Sequence, residues 1–328
     1  MSYQTASQTG ITDANGQFHY YPGETISLQV GNLLIAEGVP AQEWVTPLEF
    51  IPEIRTQLEV PSVDDEGLST HTITEQQLIT RIPLTNLTRF LIALNWTDNL
   101  RENEGIEIRD RVIQQLNAAL PNLTSPIDFT VSEAEFNATG NQPSPANQLL
   151  AAICFYPEGD ELCEQPPTEE EINNAPERPE DEDDWDPNVD YKQDLSARRQ
   201  RILEAVRSMD EVDAEDARLY LTRELNAIST TIGNRFYLDN HIARHPDSDT
   251  SIKQVKIRRI RGGLDLANLE AITTRPQDVV LHSFSWQTAT VEYYVSGPTD
   301  GESEIVTSFL PEDTYRWVRK SLRVVITD

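Results

Sequence analysis

Lysine, cysteine and long apolar runs are all scarce in this sequence. Four lysines accompany 22 arginines, while Asp and Glu together number 55, which leaves a formal net charge of −29. Because so acidic a chain repels other polyanions, nucleic acids and anionic membrane surfaces are expected to be poor partners. No stretch approaches the ~20 consecutive apolar residues of a membrane-spanning helix. The sequence therefore predicts neither a nucleic-acid-binding protein nor a chain with such a helix.

Signatures of common catalytic sites are also missing. No G-x-S-x-G nucleophile turn, Walker loop or dinucleotide-binding glycine pattern occurs. His241 and His245 have the spacing of a helical zinc pair, but no Glu follows His241 and Pro246 ends any helix there. We therefore expect exposed loop histidines, no catalytic residue and a protein that is not an enzyme.

The two cysteines, Cys154 and Cys163, stand close together in the segment CFYPEGDELC. Pro157 and Gly159 between them favour a turn that brings the two sulfur atoms together. A bridge across so short a loop stabilises a fold by about 2–3 kcal/mol and is typical of an oxidising compartment. We expect this disulfide, and the alternative is two independent reduced thiols.

An amphipathic helix followed by a polar loop dominates residues 86–107. Leu87, Phe90, Leu91 and Leu94 recur at three- and four-residue steps and therefore share one helix face, and Thr85 is placed as the N-cap. After the loop the apolar period resumes and predicts a second helix. Ligand-binding residues stay unknown, although a pocket lined by Leu87, Phe90 and Leu94 would favour a hydrophobic ligand.

The polar loop at residues 95–104 is rich in the oxygen ligands that calcium prefers. Its spacing does not match the D-x-[DN]-x-[DN]-G pattern of a calcium loop. We expect a solvated loop, no metal and no cofactor, with calcium as the alternative. The candidate ligands for that alternative are Asn95, Asp98, Asn99, Glu102 and Glu104.

The pattern of elements predicts an α+β protein. Asn15-Gly16 is a strong hairpin signal, residues 17–21 alternate as a strand, and Ile26, Leu28 and Val30 form the inward face of the next strand. Helices are predicted within 195–232, six strands between residues 252 and 326, and one short helix at 311–318. Because strands and helices do not alternate, we expect an N-terminal β meander with helices and a C-terminal antiparallel sheet or sandwich with flanking helices.

Two charged segments stand out along the chain. Residues 158–190 hold fifteen acidic side chains, five prolines and a single basic residue, Arg178. They bury too little apolar surface to fold alone, which predicts an extended strap. Residues 253–261 carry five positive charges, which we expect to pair with an internal acidic surface such as the strap. A phosphate or lipid-headgroup site is the alternative.

The expected domain division follows these changes of composition. Residues 1–157 form a β meander plus helix–loop–helix domain, residues 158–194 form the acidic strap or linker, and residues 195–328 form a helical hairpin plus an antiparallel β domain.

Several short stretches resemble a group of bacterial envelope lipoproteins. In the N-terminal half they are GITDANGQFHYYPGE at 10–24, TPL at 46–48, NLTRFLIALN at 86–95 and GIEI at 105–108. In the C-terminal part they are TSIKQVKI at 250–257, HSFSW at 282–286 and DTYRW at 313–317. Members with this pattern are periplasm-facing lipoproteins of marine hydrocarbon-degrading bacteria, linked to alkane uptake alongside a FadL-type outer-membrane channel and often labelled for organic-solvent transport.

The resemblance implies a non-enzymatic periplasmic lipoprotein that takes part in the uptake or transfer of hydrophobic compounds such as alkanes. Its expected partners are a hydrophobic small molecule and a FadL-type channel. Its expected link to the membrane is an N-terminal lipid anchor, whose lipobox cysteine is not in this sequence. The chain opens MSYQTASQTG, without a charged start or an apolar run, so we expect a mature region whose export signal was removed. The alternative is a structural or adhesive calcium-dependent envelope module without a hydrophobic ligand.

Overall fold

The fold is of the α+β class, in a computed structural model that describes residues 1–96, 105–181 and 184–328. In the structure so described, helices account for 31% and strands for 25%, so neither dominates. The residues group into two compact units, each built from two chain segments. Unit 1 consists of Met1–Phe50 and Ile82–Ala217, and unit 2 consists of Ile51–Arg81 and Arg218–Asp328. These units do not follow the consecutive segments expected from sequence, because residues 51–81 group with the C-terminal strands.

Unit 1 combines a small sheet with helices. The sheet has the strand order β2-β1-β3-β4 with antiparallel neighbours, and Ile26, Leu28 and Val30 are buried as their alternation predicted. The strands are β1 (Ser2–Gln4), β2 (Thr9–Ile11), β3 (Thr25–Val30) and β4 (Leu33–Pro40). The helices are α1 (Pro47–Phe50), α4 (Ile82–Ala93), α5 (Asp110–Ala119), α6 (Glu133–Phe136), α7 (Pro145–Ala151), α8 (Glu169–Asn174), α9 (Lys192–Glu204) and the first turn of α10 (Ala214–Gly233).

Unit 2 is built mainly from two four-stranded sheets, with the strand orders β11-β12-β9-β7 and β10-β13-β14-β8. Neighbouring strands in these two sheets are antiparallel except β14 and β8, which run parallel. The helices of unit 2 are α2 (Pro52–Leu58), α3 (Thr72–Leu78) and the rest of α10. Its strands are β5 (Ser62–Val63), β6 (Ser69–Thr70), β7 (Phe236–Leu238), β8 (Ile242–Pro246), β9 (Lys253–Arg259), β10 (Leu266–Thr273), β11 (Val279–Ser285), β12 (Thr290–Val295), β13 (Glu302–Pro311) and β14 (Val318–Thr327).

Several local predictions were wrong. Thr85 is not an N-cap, because α4 begins at Ile82 and takes Pro83 into its first turn, where the missing N–H of proline is tolerated. Residues 17–21 form no strand, and Asp13 organises the preceding turn by accepting the N–H groups of Asn15 and Gln17. The helix expected at 311–318 is absent, because Pro311 ends β13, Val318 begins β14 and residues 312–317 form the turn between them.

The strap at residues 158–190 lacks helix and strand over most of its described length, as predicted. The described part contains a 3-10 turn at Glu161–Cys163 and helix α8, which begins with a reciprocal capping box between Thr168 and Glu171. The T-x-x-E spacing of this motif is visible in the sequence, but the high charge and the prolines of the segment led to the prediction of an extended chain.

Candidate functional site

Helix α4 is tied into unit 1 by an arginine that is almost fully buried. Arg89 is 1% exposed and donates from Nε to the carbonyl oxygen of Val212 at 2.6 Å and from Nη2 to that of Met209 at 2.7 Å. Burial lowers the pKa of its guanidinium, while Glu133, 3.5 Å from Nη1, favours the charged form. The side chain therefore joins α4 to a segment more than 100 residues further along the chain.

The apolar face of α4 lies in a closed core. Leu87, Phe90 and Leu94 are at most 1% exposed. The ring of Phe90 lies 5.7 Å from that of Phe129, which lies 5.9 Å from that of Phe136. Because such cores are packed as tightly as organic crystals, a ligand would reach these side chains only by displacing them. The face predicted from periodicity thus serves packing.

The end of α4 holds the first calcium candidate, Asn95. Its Oδ1 accepts the backbone N–H of Glu107 at 2.7 Å, and the N–H of Trp96 donates to the Glu107 carbonyl oxygen at 2.9 Å. Arg207 donates from Nη1 to the carbonyl oxygens of Ala93 and Asn95 at 2.9 and 2.5 Å. Asn95 therefore closes the base of the loop by hydrogen bonding.

The other calcium candidates, Asp98, Asn99, Glu102 and Glu104, lie outside the described residues, so the solvated loop stays a prediction and calcium stays its alternative. Among residues 1–96, 105–181 and 184–328, no group of three or more His, Cys, Asp or Glu side chains is arranged to hold a metal ion.

Cys154 and Cys163 form the predicted disulfide, with their Cα atoms 5.4 Å apart. Arg111 of α5 lies against it, with Nη2 at 3.2 Å from the Sγ of Cys163 and Nη1 donating to the carbonyl oxygen of Tyr156 at 2.7 Å. The N–H of Cys154 donates to Oε1 of Gln115 on the same helix at 2.9 Å. The bridged loop is thus held on α5 from both ends.

The strap lies along α9, and two of its carboxylates form ion pairs with arginines of that helix. Glu161 pairs with Arg201 at 2.6 Å, and Glu164 pairs with Arg198. Arg199 donates from Nη1 to the carbonyl oxygen of Pro167 at 2.7 Å. The expected pairing of these carboxylates with the basic segment at 253–261 is therefore wrong, since α9 supplies the arginines.

In unit 2 the hairpin formed by β5 and β6 lies across three strands of a sheet. Ser69 donates its N–H and its hydroxyl to Glu270 of β10, both at 2.7 Å, and its carbonyl oxygen accepts the hydroxyl of Ser308 of β13 at 2.7 Å. Arg319 of β14 pairs with Asp64 at 2.6 Å. Glu270, Ser308 and Arg319 are direct neighbours across the sheet, so one row of side chains holds the whole hairpin.

A polar cleft of about 670 Å³ opens beside this hairpin. Carboxylates dominate its lining, Val306 supplies the apolar side chain, and burial lowers the pKa of the Lys320 ammonium. The lining residues are Asp64, Asp65, Glu66, Glu304, Val306, Arg319, Lys320 and Ser321. This composition suits a polar or cationic ligand and does not suit an alkane.

A buried polar cluster of unit 2 had no sequence signal. Glu75 accepts the hydroxyl of Tyr315 at 2.6 Å and Nε of Arg316 at 3.1 Å, and Arg316 is 1% exposed. His71 Nε2 lies 2.9 Å from the hydroxyl of Ser229 and 3.9 Å from Glu75. The partners are up to 241 residues apart, so no local spacing reveals the cluster.

This cluster does not have the geometry of a catalytic triad. In a triad the serine and the carboxylate contact opposite ring nitrogens, whereas Ser229 and Glu75 both face Nε2 of His71. Burial and the charge of Arg316 lower the pKa of His71 to about 4. The ring is therefore neutral at physiological pH.

The two histidines considered for zinc are not on a helix. His241 is exposed and immediately precedes β8, and His245 lies on that strand with Nε2 at 3.0 Å from the hydroxyl of Tyr293. Four positions along a strand span about 13 Å, too far for the two rings to share one ion. The prediction of exposed loop histidines is confirmed for His241 and wrong for His245, which is partly buried.

Comparison with known proteins gave no family model, no curated protein and no solved structure that matches this chain. Within the described part of the chain, no helix combines the length and the apolar character that crossing a membrane requires.

Proposed function

We propose that the protein is a non-enzymatic component of the cell envelope that takes part in the uptake or transfer of hydrophobic compounds such as alkanes. The proposal includes a periplasmic location, an N-terminal lipid anchor and a FadL-type outer-membrane channel as partner. The observation that carries it is the Cys154–Cys163 disulfide, because such bridges persist in oxidising compartments outside the cytoplasm. The stretches that resemble envelope lipoproteins supply the link to alkanes.

The contribution to uptake is proposed to run mainly through a partner protein. Two features support this part of the proposal. The apolar face of α4 is closed by packing, and the cleft of unit 2 is lined by charged side chains. The polar residues within the resembling stretches, among them Asn86, Arg89, Tyr315 and Arg316, tie chain segments together. Each unit thus has its own internal cross-links, and each presents a surface that another protein can recognise.

The test is deletion of the gene in the bacterium that encodes the chain. Growth on hexadecane should slow strongly, growth on acetate should not change, and the wild-type gene should restore growth. Unchanged growth on hexadecane would reject the proposal.

A thermal melt of the purified protein with solubilised hexadecane distinguishes direct binding of the alkane by this chain from a contribution that runs through a partner protein. Direct binding at a hundredfold excess over Kd would stabilise the native state by about 2.7 kcal/mol. The partner route predicts no shift of the midpoint. A large shift would assign the ligand to this chain itself.

A further inference from the structure

The positive charges of β9 are divided between internal pairs and side chains left open to solvent. Arg259 pairs with Asp313 at 3.1 Å, and Lys253 pairs with Asp249 at 3.2 Å. Within the described residues, the side chains of Lys256, Arg258 and Arg261 have no ion-pair partner. The basic segment therefore keeps three cations for an external anion.

These cations share a surface with exposed apolar side chains. Lys256, Arg258 and Ile260 alternate with the buried Val255 and Ile257, so they point away from the core. Directly across from Arg258 on the edge strand β7 stands Tyr237, which is 41% exposed, and Ile260 is 63% exposed. We call this surface the β7–β9 face; it consists of Tyr237, Lys256, Arg258 and Ile260, and the exposed Arg261 follows Ile260 directly in the chain.

Two carboxylates border this face, and both already accept hydrogen bonds. Asp239 accepts the backbone N–H of Lys256 at 2.9 Å, and Glu292 accepts the hydroxyl of Ser283 at 2.6 Å. Neither forms an ion pair with the three open cations among the described residues. The positive charge of the face is therefore only partly compensated.

Unit 2 is much less acidic than the chain as a whole. Unit 1 contains 35 acidic and 10 basic residues, whereas unit 2 contains 20 acidic and 16 basic residues. The repulsion of anionic surfaces that the net charge of −29 predicts therefore comes mainly from unit 1. Ions screen such exposed charges beyond about 10 Å at 0.1 M salt.

We propose that the β7–β9 face docks on a lipid surface with anionic headgroups. Lys256, Arg258 and Arg261 contact the phosphates, while Tyr237 and Ile260 enter the interfacial layer, where amphipathic rings and aliphatic side chains are favoured. Cations beside an exposed aromatic and an exposed aliphatic side chain are the combination that an anionic lipid interface favours, since it offers phosphates and an apolar layer together. This docking goes beyond the proposed function, because it needs neither a hydrocarbon nor a channel.

The experiment is co-sedimentation of the purified chain with vesicles at about 0.1 M salt. The protein should bind vesicles of phosphatidylglycerol and phosphatidylcholine in equal amounts and should not bind pure phosphatidylcholine. The double variant Arg258→Ser and Arg261→Ser should reduce the partition coefficient roughly 30-fold, since each cation near the surface contributes about fivefold. Salt near 1 M should also release the wild type, because the screening length falls to about 3 Å.

A matched control is the double variant Arg244→Ser and Arg323→Ser, which removes the same charge from exposed positions on the other sheet. It should change vesicle binding less than twofold. Ile260→Ser should weaken binding to anionic vesicles while preserving its salt dependence. Circular dichroism checks that each variant is folded.

Three outcomes would overturn the proposal. The first is absence of wild-type binding, or equal loss in the control variant. The second is full competition by millimolar inorganic phosphate, which would define a small-anion site. The third is self-association in lipid-free sedimentation that Arg258→Ser and Arg261→Ser abolish, which would make an acidic segment of another copy the partner.

Discussion

Each unit contains a buried arginine that links distant parts of its chain. Arg89 reaches the backbone at Met209 and Val212 in unit 1, and Arg316 reaches Glu75 in unit 2. A guanidinium offers five N–H donors in a planar fork, so one side chain can satisfy several acceptors at once. Its burial is tolerated because those partners replace lost water.

Replacing Arg89 by Met should destabilise unit 1 by about 3–5 kcal/mol. The change leaves the carbonyl oxygens of Val212 and Met209 buried without their donor. Urea unfolding measures the effect. The control is Arg198→Met, which breaks a partly exposed pair with Glu164 and should lose less than about 1 kcal/mol. Similar losses in both variants would contradict the assigned role of Arg89.

Acidification should weaken unit 2 through His71. Its pKa of about 4 in the folded state lies below the ordinary value of 6.5. Between pH 4 and 6.5 the His71 ring is therefore protonated in the unfolded chain and neutral in the folded chain. Stability therefore falls as the pH decreases from 6.5 to 4, by about 3 kcal/mol from this residue, and this contribution is fully present above pH 6.5.

The groups that face His71 are Glu75, Arg316, Tyr315 and Ser229. Urea midpoints across this pH range should show a shallower slope for His71→Gln than for the wild type. The exposed His241→Gln should keep the wild-type slope. Equal slopes in all three proteins would refute the assignment.

At the scale of elements, the disulfide and the strap organise one edge of unit 1. Alkylation of the folded protein without reductant should add no label by intact mass, and two labels would exclude the bridge. The double variant Cys154→Ser and Cys163→Ser should lose about 2–3 kcal/mol, because the reduced chain regains loop entropy when unfolded.

The ordered conformation of the strap should depend on its ion pairs with α9. Reversing Arg198 and Arg201 to Glu removes the partners of Glu164 and Glu161, and limited proteolysis at residues 158–190 should become faster. Arg258→Glu on β9 is the control and should leave the cleavage rate unchanged. Faster cleavage in the control alone would restore the pairing first expected from charge complementarity.

Elements with a strong local pattern were predictable, and those defined by distant partners were not. The strands from β9 to β14 follow alternating apolar positions, and α4 and α10 follow the helical period. The short strands β5, β6, β7 and β8 have too few residues to show a period. The clusters around Arg89 and Glu75 join residues more than 100 positions apart, and a single sequence contains no signal for such pairs. The disulfide was predictable because its two ends are close in the chain.

For the whole molecule, the uneven charge of the two units predicts an uneven response to salt. Unit 1 has an excess of 25 acidic residues and unit 2 an excess of 4. Self-repulsion destabilises a compact state and is screened by ions. Raising sodium chloride from about 0.05 to 0.5 M should therefore slow hydrogen exchange more in unit 1 than in unit 2. An equal change in both units would contradict this prediction.

The hairpin of β5 and β6 also sets an order of events during synthesis. It is made early, yet the strands that hold it, β10, β13 and β14, emerge some 200 to 260 residues later. Unit 1 needs the chain only as far as Ala217. One half of the molecule can thus assemble while the other remains open until the final strand arrives, and in that interval its unpaired strand edges are most prone to aggregation.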